Sequence, residues 1–309
     1  PRIGFKAIIQ QIKKKELTIT DVVFVIAPRI NAAGRMEHGQ HAVNLLTEND
    51  LAQAETFAAQ IEKFNQDRRG LDKEITVEAL GQILHNKEEE RFTSVVYKDS
   101  WHKGVIGIVA SRLTETYYRP TLVFTKSGDK LAASARSVKG FDVYNALQGC
   151  ADCIEQFGGH KYAAGLTLLE EQFENFKAQS EKVVSETIDP KLLIPEISID
   201  AQLDFKNISP KLMRILKQFA PFGPGNMTPT FMSENLIDTG YAKGVGEDGA
   251  HLKLAATQNG IGPVGGIGFN MGDKLPIVAN KKPFSAVFSL DENEWQGNIS
   301  LQMKLKDIQ

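Results

Sequence analysis

Between Thr47 and Leu84 apolar residues recur at Leu51, Ala54, Phe57, Ala58, Ile61, Phe64, Leu71, Ile75 and Leu80. That spacing predicts one long helix over 47–84, with Thr47 or Asn49 as its N-cap. A helix of about 35 residues runs about 50 Å, more than a compact domain needs, so it reads as a connector between globular pieces. Upstream, a helical pattern runs to Ile12 and gives way to a polar turn. The β-branched run "VVFVIAP" (22–28) reads as the end of a buried strand.

Downstream the period alternates. "RFTSVVYKD", "TLVFTK", "LAASAR" and "GLTLL" have strand character; "GVIGIVASRLTETYY", "DVYNALQGCADCIEQF" and "EQFENFKAQSEKVVSETI" have helix character. Alternation of this kind predicts a layered α/β domain over 86–190. "DPKLLIPEISID" reads as a linker. From residue 196 the pattern changes to short strands punctuated by Gly and Pro, including "HLKLAAT", "PVGGIGF", "FSAVFSL" and "NISLQMKLKDI". Such strands predict a small barrel of OB type over 196–309.

Charge changes the picture only locally. The net charge of −2 over 309 residues gives no global basic signature, so any site for nucleic acid must be a patch. No apolar run approaches the roughly 18 residues that span a bilayer, and no signal-peptide pattern is present. Two cysteines fit a reducing compartment, and a cytoplasmic location with no membrane partner is expected. The chain starts at Pro1 on a charged periodic segment, as a piece of something longer would.

Several short motifs can carry chemistry. In "FGGHKYAAG" (157–165) a glycine pair precedes His160, a turn suited to an anionic group. "SARS" (134–137) closes a strand; Arg136 forks onto phosphate and the serines donate hydroxyls, or else it is a surface arginine flanked by turn serines. "WHKG" stands before a helix whose free N–H groups attract anions, with His102 and Lys103 beside them. In "APRINAAGR" (27–35), Arg29 and Arg35 either pair with carboxylates or contact phosphate. "CADC" (150–153) has redox or metal spacing but lies in a helical run with no second pair, so packing is favoured. His38 and His41 form an isolated pair without carboxylates nearby.

Taken in order, "APRINAAGR", the long helix, "WHKGVIGIVASRL", "SARS", "FGGHKYAAG" and "PFGPGNMTPTF" resemble the C-terminal portion of the RecJ family of DHH/DHHA1 phosphoesterases. The resemblance covers essentially the whole chain. It implies the tail of a DHH catalytic domain over 1–46, a connector helix over 47–85, a DHHA1 domain over 86–190 and an OB-like barrel over 196–309. It further implies a parent enzyme that degrades single-stranded DNA from the 5′ end in repair and recombination, using Mn2+ or Mg2+. This chain lacks the Asp-His-His triplet of that family, so no metal or other cofactor is expected within it and hydrolysis by it alone is not expected.

By residue match, Ser134 and Arg136 would hold a DNA phosphate, the 5′-terminal one. Gly158, Gly159 and His160 would place a catalytic donor beside the scissile phosphate, and Asn31 and Arg35 would line the cleft from the other side. The barrel would extend the track for DNA, with Trp295 and Phe269 as stacking or core residues. Expected partners are single-stranded DNA and repair proteins such as a single-strand-binding protein. Two other functions stand beside it: a non-catalytic nucleic-acid-binding or partner-recruiting module, which would describe this chain in isolation, and a phosphoesterase for short RNA or a cyclic dinucleotide, which the strand-rich region after residue 196 argues against.

Overall fold

The structure is a computed structural model that describes residues 1–12, 17–223 and 225–309, with only the backbone of Trp295. The polar turn expected after Ile12 and the stacking role expected of the Trp295 side chain therefore lie outside the described residues. Two compact units are present: residues 1–17 with 21–195, and residues 18–20 with 196–309.

The chain opens with α1 (Ile3–Gln10), a short α2 (Ile19–Asp21), α3 (Ala27–Met36), α4 (Gln40–Thr47) and α5 (Leu51–His85). The strand expected at 22–28 is absent: residues 22–26 form a wide helical turn that runs into α3. Among the described residues no strand lies alongside to take its hydrogen bonds, and a backbone without a ladder satisfies itself by coiling. Most of the run faces outward, with Phe24 74% exposed.

The long helix spans 35 residues, about 52 Å, and begins at Leu51 rather than at 47. Thr47 ends α4, with its hydroxyl bonded back to Val43 O at 2.9 Å. Glu48 then folds over the Asn49 and Asp50 amides at 2.7 and 2.9 Å. Asp50 is the N-cap, accepting from Gln53 N at 2.8 Å. One end of α5 buries Ala54, Ala58 and Ile61 against Ala7, Ile8, Ala33 and Leu45. The other buries Ile75, Ala79 and Ile83 against the helix that covers the sheet. Between them the buried stripe is polar, Asn65 and Asp72.

The sheet of this unit is β1 (Ser94–Tyr97), β2 (Thr121–Ser127), β3 (Lys130–Arg136), β4 (Gln156–His160) and β5 (Ala163–Leu168), in the order β1-β2-β3-β5-β4. Strands β1 and β2 are parallel, joined by α6 (Ile106–Tyr117); the other pairs are antiparallel. Period-two alternation divides the faces. Val95, Leu122, Phe124, Leu131, Ala133, Ala135, Leu166 and Leu168 pack on Phe176 of α8 (Phe173–Thr187) and on α7 (Val143–Gln148). Val96 and Val123 face α6 and α5. The helix expected across "DVYNALQGCADCIEQF" stops at Gln148 because its last residues pair as β4 against β5, tertiary pairing overriding the local pattern. Cys150 packs in the sheet core, where burial, and secondarily Cys153, pushes its thiol up to about 12. It is a neutral packing group at physiological pH.

The second unit holds β6 (Ala201–Gln202), α9 (Pro210–Gln218), β7 (Phe231–Asp238), β8 (Lys243–Val245), β9 (His251–Gln258), β10 (Ile261–Gly268), α10 (Leu275–Ala279), β11 (Phe284–Trp295) and β12 (Asn298–Ile308). Strand pairings run β7–β9–β10–β12–β11 and return to β7, with β10 and β12 parallel. This is the five-strand ring of an OB-like fold. Alternate residues fill its interior: Leu252, Leu254 and Ala256 from β9, Phe288 and Leu290 from β11, Met303 and Leu305 from β12. Strand β7 and helix α9 were not anticipated, although α9 carries a Ser209 cap, Pro210 in its first turn and an apolar stripe of Leu212, Met213 and Leu216. Phe288 is fully buried at the centre of this ring. Phe288→Ala is expected to lower the stability of this unit by about 3–5 kcal/mol, read from denaturant unfolding followed by circular dichroism.

Candidate oxyanion groove

Strand β3 is built from small residues, and its alternation decides the site. Leu131, Ala133 and Ala135 point into the core, so Ser134 and Arg136 point to the α6 side. Register extends both rows across the sheet. Ser134 pairs with Gly165, which pairs with Gly158; Arg136 pairs with Ala163, which pairs with His160. His160 thus stands on the same face as Arg136, two strands away, about 10 Å at the usual strand spacing. The turn of "FGGHKYAAG" is Lys161–Tyr162, and His160 is the exposed last residue of β4 rather than part of the turn.

Close approach is made possible by glycine. A Cβ on Gly107, in the first turn of α6, would meet Ser134 Oγ at 2.9 Å and Arg136 Nη2 at 3.0 Å. At Gly159, with φ +153°, a Cβ would lie 2.4 Å from Ala163 O. The Arg136 guanidinium is held by Ser134 Oγ at 3.0 Å and Ala135 O at 2.7 Å, both accepting from Nη1. Arg35 comes from the end of α3 and donates to Gly104 O at 3.2 Å.

Two adjoining grooves result. One, of about 330 Å³, is lined by Arg35, Lys103, Gly104, Gly107, Ser134 and Arg136, among others. Its neighbour, of about 290 Å³, shares Lys103, Ala132 and Ala133 and continues over Gly158 and Gly165. Among the described residues no acidic side chain lines either one. Arg136 is partly buried and forms no salt bridge among the described residues. Burial, and then the charge of Arg35, depresses its pKa below the usual arginine value. A guanidinium remains charged even so, and two of them facing a groove without a carboxylate leave a positive site.

The expected site residues separate. Ser134, Arg136, Arg35 and Gly158 line the grooves, and His160 and Gly159 belong to the adjoining strand. Asn31 is exposed one turn before Arg35 and lines neither groove. His102 Nδ1 accepts from Gly104 N at 3.1 Å, so this ring shapes the loop, and neighbouring Lys103 lines both grooves instead. Arg29 is a structural residue, paired through Nε with Glu62 at 2.6 Å. Gly107 was not anticipated, whereas Gly104 belongs to the "HKG" that precedes the helix and Gly165 to the small residues that follow His160.

Among the described residues no group of three or more His, Cys, Asp or Glu side chains could hold a metal ion. No helix among them is long and apolar enough to cross a membrane.

Comparison with known proteins matches the DHHA1 domain to residues 90–186 and the RecJ OB domain to residues 199–307. The chain belongs to the RecJ family. It is 33% identical over 320 residues to the single-stranded-DNA-specific exonuclease RecJ of Salmonella typhimurium, covering 99% of this chain and 54% of that protein. The Bacillus subtilis RecJ is 32% identical, with 93% of this chain and 36% of that protein covered. The crystal structure of RecJ from Thermus thermophilus in complex with Mn2+ superimposes with a TM-score of 0.86 at 28% identity, over 99% of this chain and 44% of that one. The chain thus spans about half the length, or less, of the RecJ proteins it matches.

Gly107→Ala isolates the groove from the fold. Alanine favours a helix by about 1 kcal/mol over glycine, yet its methyl would press on Ser134 and Arg136. These opposing effects are expected to leave the melting temperature within a few degrees of the parent's, and any shift that added inorganic phosphate gives the parent chain is expected to be lost. Both are read from the same thermal melts.

Proposed function

We propose that this chain is the DNA-gripping part of a RecJ-type 5′–3′ single-stranded-DNA exonuclease. The observation that carries it is the partly buried Arg136 beside Arg35, in a groove without a carboxylate. Such a pair is neutralised by an incoming oxyanion, and a fork onto two phosphate oxygens suits guanidinium chemistry. On this reading Ser134, Arg136 and Arg35 hold the 5′-terminal phosphate. Its nucleotide lies over the open glycine surface at Gly158, and His160 stands ready to donate to the phosphate that follows.

The Thermus protein is in complex with Mn2+, and in the parent enzyme such an ion would supply the hydrolytic chemistry, held by residues other than those of this chain. Residues 1–46 would close a DHH catalytic domain, 47–85 would connect it, and 86–190 would form the grip. The OB-like unit exposes Phe269 (56%) with His251 edge-on at 5.3 Å, and Tyr241 with Lys243 Nζ 4.8 Å from its ring centroid. Exposed rings, one of them beside a lysine, suit stacking of unpaired bases. A cytoplasmic setting and repair partners such as a single-strand-binding protein belong to the same proposal.

The test is binding of 5′-phosphorylated and 5′-hydroxyl oligodeoxynucleotides by fluorescence anisotropy across a salt series. Arg136→Ala is expected to abolish the preference for the phosphorylated end and reduce the log–log salt slope by about 0.7. Its melting temperature should match or exceed the parent's, since a repulsion with Arg35 is removed and no ion pair is broken. Unchanged end discrimination would refute the assignment. The purified chain is also expected to release no nucleotides from single-stranded DNA with Mn2+ or Mg2+, and release at any appreciable rate would overturn that division of labour.

A further inference from the structure

A second cation cluster lies outside the Arg136 groove. Arg68, Arg69 and Lys73 of α5 and Arg112 of α6 line a groove of about 410 Å³ with Asp72 and Thr76. Asp72 is its single carboxylate, and it is already engaged. Its two oxygens accept from Arg112 Nε and Nη2, each at 2.7 Å, and Arg68 Nη1 is 3.9 Å away. Arg68 Nη2 donates to Asn65 Oδ1 at 3.2 Å. Glu115, next along α6, also acts on Arg112. Arg69 and Lys73 are exposed and form no salt bridge among the described residues.

Two buried polar atoms on this groove have no partner among the described residues: Arg68 Nε and Thr76 Oγ1. One is an obligate donor and the other can donate, so both call for an acceptor oxygen. Burial depresses the Arg68 pKa, Asp72 opposes that effect, and the charges of Arg35, Arg69 and Arg112 add to it. The charge of Arg35 therefore acts on Arg68 as well as on Arg136.

We propose that Arg68, Arg69, Lys73 and Arg112, with Thr76, form a second phosphate station that holds an internucleotide phosphate of the single strand whose 5′ end occupies the Arg136 groove. The proposal rests on the single-strand-binding reading. It adds to it a grip on the backbone that is indifferent to the chemistry of the 5′ end. Thr76 and Arg68 Nε would donate to the oxyanion from the buried side, and Arg69 and Lys73 would close over it from solvent.

The experiment uses the chain with Arg69→Ala and Lys73→Ala combined, because Arg68 and Arg112 support Asp72 and are left in place. Anisotropy is measured across a salt series with oligodeoxythymidylates from two to twenty nucleotides, each with a 5′-phosphate or a 5′-hydroxyl. For the long strands the double variant is expected to bind at least about tenfold more weakly at low salt, with a log–log slope smaller by about 1.4, two phosphate-directed cations at about 0.7 each. Binding of the dinucleotide and the preference for a 5′-phosphate should be unchanged. Removing Lys182 and Lys191, exposed lysines from the other side of the sheet and the segment beyond it, should leave every value as in the parent.

Parent-like binding and slope at all lengths would overturn the second station while the Arg136 groove stands. An equal loss in the Lys182 and Lys191 control would overturn it as well, by reducing the effect to net charge. Loss of slope in a chain that shows no 5′-phosphate preference would sustain the second station and remove the 5′-end assignment. No binding of single-stranded DNA by the parent would remove both.

Discussion

Two guanidinium groups, Arg136 and Arg35, face one groove with no carboxylate between them. Like charges in a partly desolvated place are held together only if the surrounding framework fixes them. Here β3 is locked on both sides by β2 and β5, and the Arg35 helix is tied to the loop before α6 through Gly104. The cost of that arrangement is carried by the packed face below, where Leu131, Ala133 and Ala135 meet Phe124 and Phe176. The site is in this sense a stored electrostatic imbalance, and the sheet core is what stores it.

Helix α5 has a complementary role. Its two apolar ends serve different cores, and its polar waist serves neither. Buried Asp72 would be costly without Arg112. With it, the waist becomes a fixed point from which Arg68 and its neighbours are presented. One continuous helix therefore sets the spacing between the helical cluster and the sheet to within the stiffness of its own backbone.

Much of this was legible in the sequence, for identifiable reasons. The α/β alternation and the short strands of the second unit show because each face of those elements is distinctly apolar or polar. "SARS" and "GGHKYAAG" were readable as a pair, yet their common face emerges only from the register Arg136–Ala163–His160. The failures share one cause. "VVFVI" has β-branched composition but no neighbouring strand, and "CIEQF" has helical period but a waiting strand, β5. Gly107 could not be singled out, because its importance lies in what stands opposite it in space. The polar waist of α5 was hidden by the same logic, since Asp72 looks solvent-facing until Arg112 is placed beside it.

The ring of the second unit bears on how the chain acquires its structure in time. Strand β12 sits between β11 and β10, and β7 pairs with both β9 and β11, so the ring closes only when strands distant along the chain have met. Pairings of that kind forfeit chain entropy before they return any contact energy, and domains dominated by them fold slowly. Closure of the OB-like ring is thus a late event, since it waits on the last strand of the chain.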